Sequence, residues 1–173
     1  MRVLSFDTGE TTGFAYQDER DEYPKGLLKA GNLKGLKALM TFLNDWKEPY
    51  PDVVVVEKYV IWGSKRGKKA NIGTTPVAIR GIGVIENWCF LNNITMHIEY
   101  DSNMCALQAL KTGLDPKAIG SHSETHWAYA ANHGRFYLIE QGLAKEAIDL
   151  NPVVVHDRKV VSTEEAYQRL FDG

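Results

Sequence analysis

The run Val53-Val54-Val55-Val56 constrains the fold of this chain more than any other feature. Alternating apolar and polar residues would mark a strand with one wet face, whereas four consecutive valines leave no position for water and demand cover on both sides. Interior strands of a helix-flanked sheet, parallel ones above all, meet that demand. The run ends in an acid, Glu57, and a second apolar run, "RVLSFD" at residues 2–7, ends in another, Asp7.

The flanking segments are consistent with such a sheet. "GFAYQD" alternates after a glycine turn and "LLKAGNL" offers a further strand, so the first three strands predict an antiparallel meander, with turns at Gly9, Gly13 and "DERDEYPKG". Residues 33–47 place Leu36, Leu39, Met40 and Leu43 at helical spacing, and Pro49 and Pro51 stop that helix. "TPVAIRGIGVIENWCFLNN" predicts a helix whose glycines mark close packing, "ITMHIEY" a short strand, and "NMCALQALKTG" a helix ended by Gly113. A long helix is expected from about residue 123 to 141, closed by Gly142, and the tail carries a strand-like piece and a short capped helix. There is no repeat and no low-complexity tract.

A chain of 173 residues, 44% hydrophobic and 24% charged, suits one globular domain with a sizeable core. A net charge of -2 and a pI near 6.2 exert no global pull on polyanions, so any nucleic-acid surface must be a local patch. Cys89 and Cys105 sit among apolar neighbours without zinc or redox spacing, which predicts buried free thiols in a reducing compartment. Without a basic and apolar leader, or a run of about 18 apolar residues, the expectation is a soluble cytoplasmic protein with no membrane partner.

Acids at the ends of apolar strands raise each other's pKa and lose hydration unless something compensates. A divalent cation compensates, because magnesium takes hard oxygen ligands and keeps several waters for phosphate chemistry. An acid at a strand end is more commonly a turn residue or a cap. For Asp7 alone that reading prevails; Glu57 on a buried strand behind a meander shifts the balance.

"LSFDTGETTGFAY", "VVVVEKYV" and a late helix ending in "NHGRFYL" together resemble the RuvC-type resolvases of the RNase H-like superfamily, particularly the compact forms encoded by bacteriophages. The resemblance spans most of residues 1–140. It implies an α/β fold with a five-stranded mixed sheet, the first three strands antiparallel, flanked by helices: a nuclease domain over residues 1–145 and a C-terminal extension over 146–173. It further implies a homodimeric, metal-dependent endonuclease cutting Holliday junctions or related branched DNA, in the cytoplasm of a bacterial host if phage-encoded. Asp7 matches the acid of the first strand and Glu57 that of the fourth. Each active site would hold two Mg2+ ions, with Mn2+ as a substitute, roughly 4 Å apart in a two-metal phosphodiester hydrolysis.

The third part of the family pattern is a helix with a His or an acid, an Asp three residues later, then Ala, and a second His four residues after the Asp. "HWAYAANHGRFYL" reproduces it with His126 first and His133 last, but Tyr129 stands where the Asp belongs. A neutral phenol is a poor magnesium ligand. His122, His126, Tyr129 and His133 recur at intervals of three and four and so share one helix face. Glu124 turns away from that face unless the helix starts later, which "SHSETH" with its N-cap residues allows. The candidate metal set is therefore Asp7, Glu57, Glu124, His126 and Tyr129, and the candidate catalytic set Asp7, Glu57, His126 and Glu124. His126 is the preferred helix-borne participant, as a ligand or as the group that positions and deprotonates water. Three readings of Tyr129 stay open: a site using Glu124 or His126 instead, a weakened or inactive junction binder, or an altered position.

DNA contact requires local positive charge. The segment after Glu57, "VIWGSKRGKKANIG", supplies Lys65, Arg66, Lys68 and Lys69, with Trp62 as a stacking platform for an unpaired base. Lys111, in "LKTG", is a further phosphate-contact candidate by its similarity to a Lys-containing segment of the resolvase family. Two-fold symmetry of a four-way junction suits a two-fold dimer, with the helix at about 75–91, rich in Ile and Val and carrying Trp88, as interface or as core. "DTGETTG" also resembles the first phosphate loop of the actin and sugar-kinase superfamily, where Asp7 would position magnesium on ATP. That architecture uses two such domains, and this length accommodates one.

Overall fold

The computed structural model describes residues 1–20, 22–24, 26–59, 77–98, 104–121 and 124–147. Five strands, β1 (Arg2–Asp7), β2 (Thr11–Asp18), β3 (Leu27–Lys34), β4 (Val53–Val56) and β5 (Thr95–Ile98), form one sheet in the order β3-β2-β1-β4-β5. β1 pairs antiparallel with β2, and β2 with β3; β4 runs parallel to both β1 and β5. The described helices are α1 (Gly35–Asn44), α2 (Val77–Leu91), α3 (Cys105–Thr112), α4 (Pro116–Ile119) and α5 (His126–Glu140). The mixed α/β sheet with an antiparallel first half is the architecture expected from the sequence.

The valine run acts as its composition requires. Val54 and Val56 face Leu4, Phe6, Phe14 and Tyr16 on one side of the sheet, where Leu39 and Leu43 of α1 and Ile85, Trp88 and Cys89 of α2 close the layer. Val53 and Val55 face the other side, with Val3, under Phe136 and Leu138 of α5. Further along α5, Trp127, Ala128, Ala130 and Ala131 cover Ala15. Trp88 and Ile85 are therefore core, and what α2 leaves outside is Phe90, 82% exposed, and Leu91, 71% exposed.

Local chemistry explains most boundaries. β3 passes directly into α1 at Gly35, whose φ of +78° is costly for any residue with a Cβ. Of the two glycines inside α2, Gly81 is the one that packs closely, since a Cβ there would lie 3.6 Å from Leu39, whereas Gly83 faces open space. α4 was not expected from the sequence; it is one turn long, opened by Asp115 accepting from the Lys117 amide and by Pro116 in the first turn. α5 starts at His126, later than the expected position near 123.

α5 has buried residues on nearly every side, so it behaves as a central element rather than an amphipathic cover. Its alanines and Gly134 let the backbone approach β1 and β2: a Cβ on Gly134 would sit 2.7 Å from Ser5 Oγ. Asn132 ties the neighbouring segments to it, accepting from Tyr23 Oη and Thr112 Oγ1 at 2.7 Å each and donating to the Leu114 carbonyl at 2.9 Å. After α5 the chain returns to α3, where Ala147 N donates to the Lys111 carbonyl and Lys111 pairs with Glu146, both at 2.8 Å. Glu146 and Ala147 thus lie against α3, and residues 148–173, the rest of the expected extension, lie outside the described residues.

Cys89 is buried and its thiol is pushed up to about 12, chiefly by burial, while Cys105 is half-buried. Among the described residues no helix is long and apolar enough to cross a membrane.

Candidate metal centre

The two acids meet because the sheet continues one residue beyond β4. Phe6 pairs with Val56, and the Glu57 amide donates to the Phe6 carbonyl at 3.1 Å, so Asp7 and Glu57 lie side by side at the ends of adjacent strands. Strand alternation puts both on the face that α5 covers. α5 brings His133 to the same place: one ligand atom each from Asp7, Glu57 and His133 lie within 4.8 Å of one another. Asp7 is 7% exposed and His133 is fully enclosed, so two of the three donors are already stripped of solvent.

A second histidine holds Asp7. His126 Nδ1 lies 2.6 Å from Asp7 Oδ2, a contact that fixes the plane of the carboxylate from the first residue of α5. Burial alone would raise the Asp7 carboxyl. The hydrogen bonds with His126 and Glu57, and the fields of His133 and His126, outweigh burial and keep it below the ordinary value. Burial pulls the His133 imidazole down to about 4, with the Asp7 carboxylate only partly opposing the fall. Burial likewise pushes the Tyr129 phenol up to about 12, and Cys105, Asp115, Asp7 and Glu57 add to the rise. At neutral pH the helix therefore presents a neutral imidazole at 133 and a neutral phenol at 129.

The His133 shift has a consequence for stability. Its folded pKa lies below the ordinary histidine value of 6.5, so below that pH the unfolded chain binds a proton that the folded chain refuses. Stability of the metal-free protein should fall as the pH drops from 6.5 toward 4, by on the order of 3 kcal/mol for a shift of this size. The lowered Asp7 pKa adds a loss of the same sign below about 3.8. Urea denaturation in the presence of a chelator at pH 7 and pH 4.5 measures the slope, and His133→Gln should flatten it.

The entry to α5 is clamped from β3. Asn32 Oδ1 accepts from the Trp127 amide at 2.9 Å and its Nδ2 donates to the Glu124 carbonyl at 2.7 Å, bracketing His126. This clamp substitutes for a side-chain N-cap, since Thr125 caps nothing and its hydroxyl donates instead to the Ser121 carbonyl. Asn32→Ala should destabilise the fold by about 1–3 kcal/mol, because it leaves both backbone groups without this partner. Chemical denaturation checks it, and Asn32→Asp, which keeps an acceptor for Trp127, should recover part of the loss.

The structure places the sequence-derived candidates as follows. Asp7 and Glu57 come together, and His126 reaches Asp7. Glu124 lies before the helix, as a late start allows, but its Oε2 is engaged by the Ser121 hydroxyl at 2.5 Å and amide at 3.3 Å, and the three-residue donor group does not include it. Tyr129 sits within the field of both acids as a neutral group. Lys111 is paired with Glu146 and lies 5.7 Å from the Phe136 ring centre. Trp62, Lys65, Arg66, Lys68 and Lys69 lie outside the described residues, as does His122. His133 was missing from the expected donor set, although the spacing His126, Tyr129, His133 already put it on the site-facing stripe.

No family model and no curated protein matches the sequence. Solved structures do resemble it. Thermus thermophilus RuvC aligns over 85% of this chain and 100% of its own, at 15% identity and a TM-score of 0.52. The Fowlpox virus resolvase, solved with substrate Holliday junction DNA, aligns over 82% of this chain and 99% of its own, at 14% identity and a TM-score of 0.53. RuvC of T. thermophilus in complex with Holliday junction substrate gives 13% identity and a TM-score of 0.52. The chain thus has the RNase H-like fold of these resolvases over nearly their whole length.

Proposed function

We propose that this chain is a metal-dependent, structure-selective endonuclease that cuts branched DNA, with four-way junctions as its substrate. The observation that carries the reading is the convergence of Asp7, Glu57 and His133 at the ends of β1 and β4 beneath α5. Ligand distances of about 2.0–2.6 Å put opposite donors of one ion about 4–5 Å apart, and the candidate ligand atoms of the three side chains lie within 4.8 Å of one another. Two carboxylates and a neutral imidazole therefore fit a divalent cation, and two Mg2+ or Mn2+ ions per site is the arrangement that the family resemblance implies. The structural neighbours, two of them solved in complex with Holliday junctions, support the substrate class.

Bound divalent ions would supply an acidified water and positive charge beside the scissile phosphate. Asp7 and Glu57 would hold them, with His133 as the third donor. His126 keeps Asp7 from rotating, and as a histidine beside the site it is the candidate to receive the proton of the attacking water. Tyr129, neutral across the working pH range, contributes at most a hydrogen bond. The segment carrying Trp62, Lys65, Arg66, Lys68 and Lys69 lies about five to twelve residues after Glu57 in the sequence and supplies the positive charge and aromatic ring that DNA contact requires. Lys111 could meet a phosphate only by exchanging it for Glu146. A second copy of the chain would complete a two-fold assembly matched to the junction, and the groove of Leu36, Met40, Val84 and Leu91 between α1 and α2, beside exposed Phe90, is the apolar face available for it.

One observation favours a second reading, a binder that does not cut: the position where the family pattern has an Asp is a neutral phenol. Incubating the protein with a labelled four-way junction and a linear duplex of equal length, with Mg2+ or Mn2+ and with a chelator, separates the two. Metal-dependent nicking of the junction alone supports the nuclease. Tight complexes that are never cut support the binder, and equal affinity for both DNAs would overturn both readings.

A further inference from the structure

We infer that His133 makes this centre selective for a transition ion of the Mn2+ class over Mg2+, by supplying nitrogen where a third carboxylate would supply oxygen. The inference rests on the metal-dependent reading and deepens it. Mg2+ demands oxygen ligands in near-ideal octahedral geometry and sheds water reluctantly, whereas imidazole suits first-row transition ions. Here the third donor within 4.8 Å of Asp7 and Glu57 is an imidazole. One turn earlier on the same helix face, Tyr129 offers a phenol and no carboxylate.

The imidazole also has no easy way out. His133 is fully buried, and the residues on both sides of it are pinned. Asn132 is bonded to Tyr23, Thr112 and Leu114. Gly134 lies so close to β1 that even a Cβ would fall 2.7 Å from Ser5 Oγ. A side chain between two such anchors cannot withdraw to leave an all-oxygen, water-rich shell without shifting α5 from the sheet. Rigid placement of a borderline donor is what converts a preference into selectivity.

The test uses the full chain and MnCl2 alone, without DNA. Pulsed electron paramagnetic resonance of the Mn2+-loaded protein should show one directly bound nitrogen, and uniform 15N labelling of histidine alone should replace the 14N signal by that of 15N. The signal should persist in His126→Ala and vanish in His133→Asp. Calorimetric titration should find Mn2+ binding at least tenfold tighter than Mg2+ binding, with His133→Asp reducing that ratio at least tenfold. Mn2+ that binds in an Asp7-dependent way without a histidine nitrogen, or with one lost in His126→Ala, overturns the inference and leaves the nuclease reading standing. Failure of Asp7 and Glu57 to support any Mn2+ or Mg2+ binding overturns both. Histidine labelling of the wild type and of His126→Ala assigns the nitrogen without His133→Asp, so a His133→Asp protein that does not fold does not block the decision.

Discussion

Asp7→Asn is expected to leave the fold and the affinity for branched DNA intact while lowering cleavage by about 10²–10³-fold, the equivalent of the several kcal/mol that a metal-held charge supplies at a phosphoryl centre. The amide keeps the shape of the carboxylate, so the packing of β1 against α5 is unchanged. It removes the negative charge, and with it both the donor proposed for the metal and the charged partner that His126 Nδ1 meets at 2.6 Å. Single-turnover cleavage of a four-way junction, set beside a binding isotherm in a chelator, separates chemistry from recognition. Glu57→Gln should behave in the same way. Strong residual cutting by either variant would remove these acids from the reaction.

The largest structural effect is expected from Gly13→Val. A Cβ at Gly13 would overlap the His126 carbonyl and lie 2.5 Å from the Trp127 amide, and these are backbone atoms that no rotamer change can move aside. α5 cannot simply slide away, because Asn32 clamps its first turn and Gly134 seats its middle on Ser5. The variant should lose about 3 kcal/mol or more, at the upper end of overpacking costs. It should also separate His126 from Asp7. Denaturation monitored by tryptophan fluorescence measures the loss, since Trp127 lies at the collision. Gly83→Ala is the matched control: it faces open space within a helix and should stabilise by up to about 1 kcal/mol.

Gly13 also marks where sequence reading stops. In the sequence it reads as one more turn glycine in "DTGETTG". In the fold it belongs to β2, opposite Asp7 in the ladder, and it makes room for the helix that carries both histidines of the site. A glycine that permits a turn and one that permits a helix to approach look alike until the partner is in place. The same holds for α2, where periodicity could not tell whether Ile85 and Trp88 face a core or a second copy; packing against β4 and α1 puts them in the core.

What the sequence determined by itself was the sheet and its two acids. The valine run, the alternating meander and the acids ending both runs are properties of a few neighbouring residues, so strand periodicity and solvent exclusion are enough to place Asp7 and Glu57 at strand ends. Which residue of α5 meets the two acids was decided by tertiary structure alone. Helical spacing put His126, Tyr129 and His133 on one stripe, and choosing among them depends on where the helix starts, how closely it approaches β1 and β2, and which way it crosses them. Those quantities follow from Asn32, Gly13, Gly134 and Ser5, residues distant from one another in the chain, and they bring His133 to the acids and His126 to the flank of Asp7.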